Sequence, residues 1–356
     1  MKKGSIAAVA LLSALSFGSR AVVFYSTADP QHNTTPPTGV LAGSGWDLQG
    51  DAFPGTPIAP NFFITATHLG GQVGDVFTFR GVAYPMVNSF PHPDADITIW
   101  QVNGTFPQYA PLYSSCDEVS KSLVVFGRGA ERGEEVRLNG VLKGWAWGKT
   151  DGTHRWGENV VAGISDQDGH PATSSTKFQL LRADFDVNGG SNEAQLSGGD
   201  SGGGVFINDG GVWKLAGVNH AANKDYSYTQ TGPSFNATLF DEGGFWEGEL
   251  AKREYHPDDP FTPQPGSFYA TRISTYLGWI QSVTALPLPA AAITLEESPS
   301  LLGSYGAVAG ANLNPATSTI AIPRPSGTRF YRIVGDRPYT ITGMKQSGDQ
   351  VLISYN

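Results

Sequence analysis

The chain carries Gly198-Gly199-Asp200-Ser201-Gly202-Gly203-Gly204 running straight into the apolar stretch Val205-Phe206-Ile207. Glycines on both sides of a serine let the backbone turn tightly and approach a bound molecule closely, with the hydroxyl left exposed. They also free amide N–H groups to face a developing oxyanion, and Gly199 and Ser201 are placed to supply two of them. The Gly204–Ile207 run that follows reads as a strand. Working outward, the same signature recurs in Asn61-Phe62-Phe63-Ile64-Thr65, Asp96-Ile97-Thr98-Ile99-Trp100, Ser122-Leu123-Val124-Val125-Phe126 and Val212–Val218, each bounded by turn-forming residues. Repeated short strands of this kind indicate a barrel or a sandwich.

Composition points the same way. Among 356 residues there are 45 Gly and 24 Pro but only 15% charged residues, against roughly 25% in an average soluble domain, which disfavours a helical bundle. An apolar share of 40% supplies a core and excludes disorder along most of the chain. With a net charge of −9 and no long Lys/Arg run, the chain lacks the footprint of a nucleic-acid binder. Lys2 and Lys3 precede the apolar run Ile6–Phe17 and then Ser19-Arg20-Ala21, which reads as a signal peptide over 1–21 with Val22 as the first mature residue. That run is too short to span a bilayer, so a secreted or periplasmic protein without stable membrane insertion is expected. The lone Cys116 has no intrachain partner and reads as a small buried hydrophobe.

A serine hydroxyl needs a neighbouring base, and the base needs an orienting acceptor. Upstream, Phe63-Ile64-Thr65-Ala66-Thr67-His68 ends a strand-like run in an imidazole. Asp96 opens another; Asp94 competes for the same role, but the strand that follows favours Asp96. The order His68, Asp96, Ser201 resembles that of the trypsin/chymotrypsin-like serine proteases, the family of the standard triad template. Thr65-Ala66-Thr67-His68, Asp96-Ile97-Thr98-Ile99 and Gly199-Asp200-Ser201-Gly202-Gly203 resemble its three motifs. Tyr269–Ile280 resembles its closing strand and C-terminal helix, a reading that Ile273, Tyr276, Leu277 and Ile280 support by their helical spacing.

The resemblance covers 22–283. It implies an all-β fold of two six-stranded antiparallel β-barrels with a short C-terminal helix. It further implies His68 as general base and then acid, Asp96 as its orienter, Ser201 as nucleophile, and the amides of Gly199 and Ser201 as oxyanion hole. The function implied is that of a secreted serine endopeptidase acting on protein or peptide substrates through an acyl-enzyme. An inactive relative kept as an exported binding or adhesion module is the alternative, and an esterase or a self-cleaving protease is a narrower one.

Departures from the pattern matter. Gly204 stands where the family usually has proline, and Leu69 follows His68 where a disulfide is common. In the animal enzymes the aspartate matching Asp200 binds a freed α-amino group; here the Val22 amine could supply it, and otherwise an internal donor must. The position matching the base of the primary pocket is Gln195, which removes the charge that basic specificity needs, though Glu193 lies nearby. On the strand expected to line the substrate, His220 and Ala221 replace the usual Ser-Trp. The stretch 222–265 reads as an excursion packed on the surface. A linker is expected over 284–313, stiffest at Leu286–Ala292, and a small β-rich segment over 314–356. Asp184, Asp186 and Asn188 resemble the opening of a calcium loop, but Gln195 occupies the twelfth position, so an ordinary turn is expected with calcium as the alternative. His92, Asp94 and Asp96 lack a further ligand for a metal site, and no other cofactor is expected.

Overall fold

The computed structural model describes residues 22–149, 152–173, 176–285, 293–314, 317–335 and 339–355. The expected signal peptide and the stiff part of the expected linker lie outside them.

Strand β1 (Val23–Phe24) is followed by β2 (Thr56–Ala59), β3 (Phe62–Thr65), β4 (Val76–Phe79), β5 (Val82–Pro91) and β6 (Thr98–Val102). The last five form an antiparallel sheet in the order β2-β3-β6-β5-β4. A closed six-stranded first barrel was expected, but this sheet stays open. Where a further strand would run, residues 103–112 carry Pro107 and Pro111 and face Pro57 and Pro60, none of which has an N–H to donate. Only Phe106 and Ala110 reach the β2 edge, donating to the carbonyls of Pro60 (2.6 Å) and Pro57 (2.8 Å).

The second half closes fully. Next come β7 (Ser122–Gly127), the hairpin β8 (Arg132–Leu138) and β9 (Val141–Trp147), then β10 (Arg155–Ser165), β11 (Leu180–Asp184), β12 (Ala194–Gln195), β13 (Gly204–Asp209) and β14 (Val212–Ala222). After the short strands β15 (Tyr226–Ser227), β16 (Ala237–Leu239), β17 (Trp246–Glu247) and β18 (Glu254–Tyr255) comes β19 (Ser267–Arg272). Six of these make a closed barrel in the order β10-β11-β19-β14-β13-β7.

The period of two explains why the barrel strands read as unbroken apolar runs. On β7, Leu123 and Val125 point into the barrel beside Val205, Ile207 and Leu181. Val124 and Phe126 point the other way, into a second core with Phe206, Leu215, and Ile58, Ile64 and Ile99 of the first sheet. Both faces are buried, and the shared core fastens the open sheet to the barrel. A 3-10 turn (Ile273–Tyr276) leads into helix α1 (Leu277–Thr284), which adds Ile273, Tyr276 and Ile280 to that shared core.

The excursion after β14 builds its own small core. Strand β16 pairs with β9, and Ala237, Leu239, Phe245 and Tyr226 pack with Val136 of β8. Lys143, with a side chain only 4% exposed, lies between Asp241 (2.6 Å) and Asp258 (2.7 Å) and ties the hairpin to the excursion.

Among the described residues that follow, seven strands form: β20 (Thr294–Ser298), β21 (Gly306–Ala307), β22 (Asn312–Asn314), β23 (Thr319–Pro323), β24 (Phe330–Val334), β25 (Ile341–Ser347) and β26 (Gln350–Tyr355). They form the sheets β21-β20-β24 and β22-β23-β26-β25 around Leu295, Ile320, Ile322, Ile353 and Tyr355. Two of these strands, and the start of a third, β22, fall inside the stretch expected as linker. β20 has a single apolar residue, Leu295, so pairing rather than composition makes it a strand: Leu295 lies opposite Ile333, and Glu296 opposite Arg332.

Cys116 is exposed rather than buried, because Tyr113 and Glu118 are the residues of that turn that face inward.

Candidate active site

The shared core brings two turns of the first sheet against a loop and a strand of the barrel. His68 lies in the 3-10 turn Thr67–Leu69 that ends β3. Asp96 precedes β6, after a turn closed by the His92 amide on the Ile97 carbonyl (2.9 Å). Thr67 and Thr98 hydroxyls meet at 2.9 Å and hold the two turns together. Asp96 Oδ1 accepts the His68 backbone N–H (2.9 Å), and Asp96 Oδ2 accepts His68 Nδ1 (2.6 Å). Asp94, the competing carboxylate, lies instead 3.7 Å from Lys177.

A third group converges here. His220 on β14 places its Nδ1 2.7 Å from the same Asp96 Oδ2. Burial would raise the Asp96 carboxyl, but the hydrogen bonds from His220 and His68 outweigh it and hold the group well below the usual carboxylate range. Asp96 is thus a carboxylate wherever the protein is folded near neutral pH.

Ser201 enters from the barrel side, in the loop before β13. His68, Trp147, Ser197, Gly198, Ser201 and His220 are among the residues lining one cleft of about 120 Å³. Gly199 adopts φ +102°, a conformation that a side chain would strain. Among the described residues, the amides of Gly199 and Ser201 have no intramolecular acceptor, whereas the neighbouring Asp200, Gly202 and Gly203 amides do. An open cavity of about 570 Å³, lined by Asp94, Asp96, Asp166, Asp168 and Phe178 among others, continues from Asp96.

Asp200 is buried beneath the loop. It receives the amides of Gly129 (2.6 Å) and Ser197 (2.7 Å) and the Ser197 hydroxyl (3.0 Å). Internal donors therefore satisfy it. The Val22 end lies along another path, with β1 pairing Val23 to Gln195 and Phe24 to Ala194. Burial pushes the Asp200 carboxyl up to about 7, with these hydrogen bonds and Arg155 opposing the rise. The cradle requires glycine: a Cβ on Gly127 would stand 2.0 Å, and one on Gly129 2.3 Å, from the Asp200 carboxylate.

The expected pocket residues separate. His220 lines the cleft, but Gln195 is fully buried on β12, donates to the Ser267 carbonyl (3.0 Å) and does not line the cleft. Pairing with β1 turns this position inward, away from any bound side chain. Glu193 is buried as well, accepts the Asp186 amide (3.2 Å), and is pushed by burial up to about 8. At the calcium-like turn, Asp184 is engaged by the Ser267 hydroxyl (2.7 Å) and Arg182 (3.1 Å), and Asn188 adopts φ +61°, as befits a turn.

Sequence reading missed the residues that set the serine loop. Asn219 Nδ2 donates to the carbonyls of Asp200 (2.9 Å) and Phe126 (2.8 Å), and its backbone exchanges hydrogen bonds with Gly202 and Gly203. Gln49 Oε1 accepts the Gly204 amide (3.0 Å).

No protein-family model matches this chain, and no curated protein does. Among solved structures it is similar to neuropsin, a serine protease expressed in the limbic system of mouse brain, at 16% identity and a TM-score of 0.39. That similarity covers 65% of this chain and 88% of the neuropsin chain.

Proposed function

We propose that the chain is an exported serine endopeptidase that cleaves protein or peptide substrates through an acyl-enzyme. One observation carries the reading: His68 is held through Nδ1 by an ionised Asp96 in the cleft it shares with Ser201, whose loop carries two unclaimed amides. With its proton on Nδ1, the His68 imidazole keeps a lone pair on Nε2, the atom that takes the proton of the Ser201 hydroxyl as that oxygen attacks the carbonyl carbon. The carbonyl oxygen becomes an oxyanion, which the Gly199 and Ser201 amides stabilise. Protonated His68 then gives its proton to the departing amine, and water repeats the sequence to release the acid. The 570 Å³ cavity that Asp96 and Thr67 help to line gives an extended chain room beside the turn that carries His68. Export rests on the signal-like residues at the start of the sequence.

Fluorophosphonate labelling tests this reading. The mature chain should be modified at Ser201 alone, located by mass spectrometry, and should hydrolyse peptides. Ser201→Ala should abolish labelling and lower turnover by on the order of 10⁴-fold or more while keeping the wild-type circular dichroism spectrum. A folded chain that neither labels nor turns over any peptide or ester would replace this reading with that of a binding module.

A further inference from the structure

We propose that His68, Asp96 and His220 form a site for a zinc-class divalent cation, and that filling it switches the Ser201 centre off. Two imidazoles aim the same atom, Nδ1, at the same carboxylate oxygen, at 2.6 and 2.7 Å, and all three candidate ligand atoms lie within 4.8 Å of one another. In the hydrogen-bonded state each ring carries its proton on Nδ1. Neutral imidazole with the proton on Nε2 instead presents a lone pair at that atom. One cation can therefore take the place of two protons among the same three atoms. Two imidazoles and a carboxylate are a donor set that suits zinc-class ions and leaves a fourth position for water.

The adjustment required is small. In a tetrahedral zinc site the ligand atoms stand about 3.4 Å apart, so each ring has to draw back from Asp96 by roughly 0.7 Å. His68 has the freedom to do so, since its side chain is 44% exposed. His220 is half-buried, with its ring edge against Phe178 at 5.2 Å between centroids, which fixes one arm of the site in advance.

The effect on the serine follows from tautomerism. A cation on His68 Nδ1 leaves the ring proton on Nε2, the atom that has to be bare to accept the Ser201 proton. The base is thus inverted without being moved out of the cleft. Inhibition should lower kcat with little change in KM. This regulatory half rests on the reading of Ser201 as nucleophile; the binding half does not.

Two other clusters serve as contrasts. Around His256, Glu242 already accepts the Tyr226 hydroxyl and Glu247 the Asn223 amide, with His256 lying between the two carboxylates. Asp166 spends Oδ1 on the amides of Asp168 and His170.

The test is isothermal titration of the mature chain with zinc alone, run beside fluorophosphonate labelling. Wild type should bind one zinc in the micromolar range, and zinc should block labelling. His220→Ser keeps a hydrogen-bond donor near Asp96 but removes a ligand. It should weaken binding by more than the roughly 10–100-fold typical of outer-shell changes. His68→Ala should do the same, and His256→Gln should leave binding unchanged. Circular dichroism establishes that each variant is folded. Absence of binding below millimolar zinc, or affinity unmoved by His220→Ser, overturns the site. Binding that depends on His220 in a chain that never labels keeps the site and removes the hydrolase reading instead.

Discussion

The Asn219 side chain donates to two buried carbonyls, those of Asp200 and Phe126, while its backbone pairs with Gly202 and Gly203. Replacing it with leucine strands both acceptors, each at about 1–3 kcal/mol. Asn219→Leu should therefore lower stability by about 2–6 kcal/mol in urea denaturation. It should also depress kcat more than KM, since the loop it releases carries Ser201 and the amides beside it. His68, Asp96 and Ser201 were legible because each sits in a short contiguous motif whose local chemistry is visible. Asn219, Gln49 and the Gly127-Arg128-Gly129 cradle were not, because each acts on a loop that is remote in sequence and no local pattern announces the meeting. The burial of Gln195 was hidden for a related reason: counting back from Ser201 says nothing about its pairing with β1.

At the scale of elements, the barrel strands were readable from β-branched and aromatic runs, because strands buried on both faces need no polar alternation. The open edge of the first sheet was not read, although Pro57, Pro60, Pro107 and Pro111 are in plain view; their effect appears only once those segments are known to be neighbours. Strand β19 is fixed by a pair of the same remote kind. Arg272 donates to both oxygens of the fully buried Glu118, at 3.0 and 2.6 Å, and the Ser274 hydroxyl joins them. Removing one charge leaves the other buried and unpaired, which costs about 3–5 kcal/mol. Glu118→Gln should show a loss of that size in the unfolding free energy measured by urea titration, and Gly129→Ala should lose labelling at Ser201 through displacement of Asp200.

For the whole molecule, the charge balance sets an unusual response to pH. Burial raises Asp200 to about 7 and Glu193 and Glu242 to about 8, so the folded chain binds more protons than the unfolded chain between the ordinary carboxylate range and those values. Their contribution is greatest in acid and is lost as pH rises through the raised values. His256, also raised, adds to the same trend. The histidines and carboxylates that work in the opposite sense titrate lower: His154, buried and lowered to about 3, and His92, also lowered by burial, weaken the fold only as pH drops below about 6.5, and Asp117 and Asp96 only in acid, from the ordinary carboxylate range downward. Thermal midpoints should thus fall by several degrees between about pH 6.5 and 8.5. Glu242→Gln should flatten part of that slope, and a midpoint that rises over this range would contradict the assignment.

The cradle beneath the serine loop has a bearing on how such a protein is handled. Gly129 and Ser197 give their amides to Asp200 from within the fold, so the loop is completed by internal donors. On the proposed reading, the serine loop is set by folding itself and does not wait for a freed amine. Under that reading, restraint of the proposed activity falls to a reversible ligand, and its timing to synthesis and delivery.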